Sequence, residues 1–303
     1  MNGVIVVDKP ADWTSHDVVL HLRRILRIKK IGHTGTLDPL ATGVLLITIG
    51  QATKLFPYLS RMDKTYSGEV RFGQATETYD SQGGPIGPEC SDFPEEKDLR
   101  KISESFKGEI IQIPPSFSAK KVNGQPAFKL ARQGLTPNLS PIKVKIYRFL
   151  IIEYQPPVLK FLIECSSGTY IRTLAHDLGQ KLGCGAHLSQ LRRLAVGKYT
   201  EEEAFNLDQI KEMVDKLEFS KFIIPMENLL PDYPAIWLSE ISSKAFLHGS
   251  RISLDQVIRA SLVRHLPSTE PAYRILSEEG KLLGLANFNQ ENLFFQPVLV
   301  FKT

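Results

Sequence analysis

A chain of 303 residues is longer than one domain usually runs, and 42% hydrophobic with 23% charged residues excludes disordered and fibrous classes. A net charge of +4 excludes a uniform polycation, so any affinity for a polyanion must come from local clustering. Cys90, Cys165 and Cys184 stand far apart without Cys-x-x-Cys or Cys/His spacing, the N-terminus lacks a basic leader, and no run reaches eighteen apolar residues; a cytoplasmic protein with reduced thiols, no zinc and no membrane segment is expected.

Val4 to Val7 is a β-branched run closed by Asp8-Lys9-Pro10 and reads as a buried strand. Thr14 or Ser15 can cap a helix carrying Val18, Val19, Leu22, Ile25 and Leu26 at helical spacing. Arg23, Arg24, Arg27, Lys29 and Lys30 cluster at its C-terminal end, which suits the helix dipole and an RNA-facing patch equally. The next stretch, Gly32-His33-Thr34-Gly35-Thr36-Leu37-Asp38-Pro39-Leu40-Ala41-Thr42-Gly43, is shaped loop, and Pro39 biases Asp38 toward an extended backbone. It feeds the apolar run Val44 to Ile49. A lone carboxylate on a stiff loop ahead of a buried strand points to chemistry, although a turn aspartate and a structural His33 explain the same residues locally. A phosphate-cradling loop is excluded, because no lysine lies between Ile31 and Gln51.

Gln51 to Tyr58 reads as a short helix and Lys64 to Gly73 as a strand bearing Tyr66. Thr76-Glu77-Thr78-Tyr79-Asp80 follows, with Asp80 either a supporting acid or a turn acid. Pro85 to Pro94 is a Gly/Pro-rich loop, and Glu95 to Phe106 reads as a helix. Between Glu109 and Glu153 there is no acidic residue, while Lys120, Lys121, Lys129, Arg132, Lys143, Lys145 and Arg148 lie there, the signature of a polyanion-facing surface. Val158 to Cys165 alternates as a strand and leads into a helix beginning near Gly168. Arg172 in its first turns opposes the dipole, so a specific carboxylate partner is expected. Beyond the Gly183 to Arg193 segment, a helix is expected over Asn206 to Leu217 and a three-proline linker over Pro225 to Pro234. Short strands with turns at Gly249, Gly280 and Gly284 follow.

The Gly32 to Gly43 stretch resembles the catalytic motif of the TruB-type tRNA pseudouridine synthases, in which its aspartate is the essential residue. Lys9 to Ser15, Lys64-Thr65-Tyr66, Thr76 to Asp80, Ile113 to Gly134, Gly168 to Ala175 and Gly183 to Arg193 resemble further motifs in the same order. Departures are Asp12 where glycine is usual, Phe117 and Phe128 where tyrosine is usual, and Leu194-Ala195 where Thr-Arg is common. The resemblance implies an α+β pseudouridine-synthase fold, with a large, mixed but mostly antiparallel sheet and flanking helices in residues 1–230. It places an RNA-gripping insertion at about 110–150 and implies a small β-rich PUA-like module in residues 231–303, though only in outline.

The implied reaction is isomerisation of uridine 55 in the tRNA T-loop by base flipping, without metal or organic cofactor, since the bonds broken and formed lie in one nucleotide. Asp38 would be catalytic, Arg172 its partner, Tyr66 the stacking partner of the uracil, and His33 the occupant of the vacated space, with Tyr170 and Leu191 packed around it. Lys9, Lys120, Lys121, Lys129, Arg132, Phe117, Phe128, Arg192 and Arg193 would bind the T-arm; the enzyme would act as a monomer, with no protein partner. Two alternatives stand beside this: a nucleoside hydrolase using Asp38, which needs a second carboxylate, and a tRNA-folding chaperone.

Overall fold

The computed structural model describes residues 1–261 and 272–301. β1 (Gly3–Lys9) and α1 (Ser15–Leu26) open the chain, and α1 is capped by Thr14, whose side chain accepts from the Asp17 amide while Asp17 bonds back. β2 (Ile31–His33) and β3 (Thr42–Ile49) flank the Gly/Pro loop. Then follow β4 (Lys64–Phe72), α2 (Glu96–Glu104), β5 (Gly108–Gln112), β6 (Ile142–Gln155), β7 (Val158–Cys165), α3 (Ile171–Lys181) and β8 (Ala186–Val196). These strands form one sheet in the order β1-β3-β8-β4-β7-β6-β5, with β2 paired beside β3.

Every ladder in this sheet is antiparallel except β3 with β8, where Arg192 and Arg193 run alongside Thr42 and Gly43. That parallel contact explains Gly43. Its φ is 97°, and a Cβ there would lie 2.3 Å from the Arg193 carbonyl oxygen.

β1 and β3 are buried on both faces, which is why they read as unbroken apolar runs. Ile5, Val7, Leu45 and Ile47 face a core shared with α1, Leu174 and Leu178 of α3, and Phe161. Val4, Val6, Val44 and Leu46 face the opposite way, onto Leu229, Leu230, Leu282, Leu285 and Phe301. The second, six-stranded sheet therefore shares a core with the large one. Its strands run in the order 252–253, 294–300, 282–289, 272–277, 235–238, 257–260.

The expected fold class, a mixed sheet with helices plus a β-rich C-terminal module, is what the chain adopts. The helix Glu240–Leu247 was not anticipated among the short strands, although Ser239 caps it by accepting from the Ser242 amide and Phe246 buries its inner face. Asp12 occupies the left-handed region at φ 64°, meeting with an aspartate the backbone demand that glycine meets in the resembling motif.

Candidate active site

The Asp38 loop is held from below by the segment after β1. The Asp12 amide donates to the Pro39 carbonyl at 2.9 Å, and Ser15 Oγ accepts from the Leu37 amide at 2.8 Å. Lys9 Nζ donates to the carbonyls of Pro10, Trp13 and Pro39 at 2.7, 2.6 and 3.3 Å. Three ammonium protons meet three carbonyls. Lys9 is fully buried, so its assignment to the RNA surface is corrected: it clamps the Asp38 loop from inside. Burial pushes its pKa down to about 8, with Asp38 opposing the fall.

Arg172 lies in the first turn of α3, buried, and four of its five guanidinium donors are hydrogen-bonded. Nε and Nη2 bond the two Asp38 oxygens at 2.8 and 2.9 Å. Nη1 reaches the Thr78 carbonyl at 3.0 Å and Asp80 Oδ2 at 3.6 Å, while Nη2 also bonds the Phe117 carbonyl at 3.0 Å. One guanidinium thus joins four segments distant in sequence, and the carboxylate that Arg172 requires is Asp38 in bidentate geometry. Asp80 is buried, accepts from Thr78 Oγ1 and the Gln82 amide, and takes the supporting place under Arg172.

Asp38 itself keeps 32% of its side chain exposed, at a cavity of about 450 Å³. His33, Tyr66, Tyr170, Leu191 and Lys120 line the same cavity. Burial pushes the Asp38 carboxyl above the ordinary carboxylate range and Asp80 adds to the rise, while Arg172 and, more weakly, Lys9 oppose it. Chemistry that needs the carboxylate therefore fails on the acid side at a pH above the usual aspartate value of 3.8. Asp80→Asn removes a like charge and leaves Arg172 to Asp38, so the acid limb of a single-turnover pH profile is expected to move to lower pH; an unmoved limb would show that Asp80 does not act on Asp38. For folding the sign is opposite. The raised pKa favours the folded state at low pH, and that contribution is lost as pH rises through the window.

Tyr66 is buried, and burial pushes its phenol up, with the charge of Arg193 in opposition. Arg193 was expected to face RNA. It is instead buried, donating from Nε to the Val44 carbonyl at 2.6 Å and from Nη2 to the Gly35 carbonyl at 3.1 Å, so it braces both ends of the Asp38 loop and presents its charge to Tyr66. Arg192, also expected at the RNA, is engaged by Asp8 at 3.0 and 3.1 Å and by Glu201 at 2.7 Å. Burial and the charge of Arg193 push the His33 imidazole down, leaving it neutral near pH 7, and its buried Nδ1 has no hydrogen-bond partner among the described residues. Lys64, buried between the Ser60 and Met62 carbonyls, also lines the cavity; the Lys64-Thr65-Tyr66 motif contains it, but nothing local to a lysine that opens a strand marks it as buried.

Lys121, Lys129 and Arg132 are exposed, on a small hairpin over 121–126 and the helix Ala127–Arg132, whereas Lys120 is half-buried at the cavity wall. Phe117 and Phe128 are half-buried, with the Arg132 guanidinium 5.5 Å from the Phe128 ring. Among the described residues no cluster of three or more His, Cys, Asp or Glu is placed to hold a metal ion, and no helix is long and apolar enough to cross a membrane.

Tyr66→Phe separates stacking from proton transfer at this cavity. A hydroxyl that moves a proton gives a fall of about 10²-fold in single-turnover rate with RNA affinity held; an unchanged rate leaves the ring as a stacking surface alone.

The fold matches, at a TM-score of 0.75 and 26% identity, a chain in the "Structure of H/ACA RNP bound to a substrate RNA containing 2'-deoxyuridine", covering 99% of this chain and 85% of that one. Residues 23–171 match the model for "TruB family pseudouridylate synthase (N terminal domain)" and residues 172–231 that for "tRNA pseudouridylate synthase B C-terminal domain". Fold and sequence together define an isomerase of the pseudouridine synthase class. Proteins named tRNA pseudouridine synthase B from Solibacter usitatus and Clostridium tetani are 39% and 37% identical, each over 99% of this chain and 100% of the relative. The chain belongs to the TruB family.

Proposed function

We propose that this enzyme converts uridine 55 in the T-loop of tRNA to pseudouridine, acting as a cytoplasmic monomer without cofactor. The observation that carries this reading is the bidentate Arg172–Asp38 pair at the edge of a cavity bounded by Tyr66, Tyr170, His33 and Leu191. A stacked uridine must leave its loop to reach Asp38, at a cost of a few kcal/mol, recovered by stacking and backbone contacts. The bond between uracil N1 and ribose C1′ then breaks, the base turns, C5 bonds to C1′, and the proton on C5 is lost as one returns to N1. Asp38 serves as nucleophile, at C1′ or at uracil C6, or stabilises the charge that develops.

Residues 1–230 form the catalytic domain in this reading and residues 231–303 a PUA-like module. A nucleoside hydrolase is disfavoured because Asp80, the other carboxylate at Arg172, is buried and is not offered to substrate. The test is tritium release from 5-labelled uridine in a tRNA transcript, together with product analysis. Release with pseudouridine at position 55 is expected; free uracil would establish hydrolysis, and refolded, unmodified tRNA a chaperone.

The exposed cations of the 110–150 insertion are the phosphate contacts of this reading. Lys121, Lys129 and Arg132 replaced by Gln should lower the slope of log K against log salt by roughly 2, at about 0.7 per contact on single-stranded RNA. Lys120 is left out because it lines the cavity. A wild-type slope in the triple variant would remove this segment from the RNA surface.

A further inference from the structure

The chain holds 16 Phe, 9 Tyr and 2 Trp. Among the described residues only two of these rings are exposed, Phe56 at 49% and Tyr147 at 46%. Phe56 opens the short helix Phe56–Leu59, pinned by the fully buried Ala52, Leu55 and Leu59, so the backbone is fixed while the ring is held out. That ring lines the catalytic cavity beside Ser60, Lys64 and His33.

Tyr147, on β6, is joined to segments that line this cavity. Its hydroxyl donates to Asp63 Oδ1 at 3.3 Å, immediately before the cavity residue Lys64, and Lys145 Nζ lies 5.3 Å from its ring centre. The Lys145 amide in turn donates to Oγ of Ser166, another cavity residue, at 2.9 Å.

Single exposed apolar side chains are ordinary on protein surfaces. Here Phe56, one of the two exposed aromatic rings among the described residues, lines the cavity that holds the reactive aspartate. A fixed, solvent-facing ring in a cavity also lined by cationic side chains, here Lys64 and Lys120, is an arrangement with which proteins hold unpaired nucleotides, because every base offers a π-face and every linkage a phosphate. No reaction step uses Phe56.

We propose that Phe56 is a base-stacking subsite, receiving an unpaired nucleobase next to the reacting uridine while that uridine occupies the cavity. Drawing one nucleotide out of a stack unstacks its neighbours, and a neighbour placed on Phe56 regains a stacking partner. The inference rests on the RNA-substrate reading above and adds a second site to it, with an unpaired base of either ring type as its ligand.

The test measures equilibrium affinity by filter binding for wild type, Phe56→Ala, Phe56→Leu and Phe56→Trp. The RNAs are a T-arm stem-loop and a series in which each nucleotide flanking the uridine is made abasic in turn. Phe56→Ala and Phe56→Leu should bind the intact stem-loop about tenfold more weakly, and Phe56→Trp within about twofold of wild type. At one abasic position wild type should lose the same factor and Phe56→Ala nothing further.

Wild-type affinity in Phe56→Ala overturns the subsite. So does a loss that persists undiminished with every abasic RNA, since that marks a structural role. Leucine keeps apolar contact without the π-face, so a variant that binds normally with leucine and weakly with alanine also overturns stacking. Because the readout is binding, a failure to form pseudouridine would count against the catalytic assignment and leave this cycle intact.

Discussion

Asp38→Asn is expected to lower single-turnover pseudouridine formation by at least about 10³-fold, roughly 4 kcal/mol of transition-state stabilisation, while RNA affinity stays near wild type. The amide keeps the shape and can still accept from Arg172, but it is neither a nucleophile nor an anion. Arg172 retains Asp80 and the carbonyls of Thr78 and Phe117, so the cavity wall should hold without the charge of Asp38. Mass spectrometry of the RNA, with filter binding in parallel, measures both quantities. A variant that turns over at the wild-type rate would remove Asp38 from the mechanism.

Arg172→Lys should be nearly as damaging, by a different route. Lysine brings a point charge and three donors where a planar fork serves Asp38 on one edge and two carbonyls and a second carboxylate on the other. Loss of the bidentate bond lets the carboxylate shift, and a displacement of the order of 1 Å costs about 10²-fold in rate. The carbonyls left unpaired in a buried site are worth about 1–3 kcal/mol each in desolvation, so the melting temperature should fall as well. The combination with Asp38→Asn decides the route. If Arg172 acts through Asp38, the double variant is no slower than Asp38→Asn alone; additive losses would assign Arg172 its own contact with the substrate.

Several elements were legible in the residues because their determinants are local. The alternation of Val158 to Cys165, the cap at Thr14 and the apolar runs of Val4 to Val7 and Val44 to Ile49 each depend on neighbours within one strand or one helical turn, and the structure places them within a few residues of expectation. Arg172 was legible for a related reason: a cation in the first turn of a helix is unfavourable alone, and that local conflict announces a partner. Asp38 stood out as the only acid on its loop, and the motif resemblance turned a turn residue into a catalytic candidate.

What local sequence did not decide was which cations are inside. Lys9, Arg192 and Arg193 sit in chemically plausible RNA-binding motifs, yet Lys9 is enclosed by three carbonyls and Arg193 is buried on the Gly35 and Val44 carbonyls, whereas Arg192 stays half-buried and ion-paired with Asp8 and Glu201. Most of these partners come from other segments, brought close by the parallel pairing of β3 with β8 and by the packing of the post-β1 segment under the Asp38 loop. The sequence by itself determined the strands, the caps and the one carboxylate. Tertiary structure decided which positive charges face water and which are buried as braces, because the cost of burying a charge depends on acceptors that only the folded chain supplies.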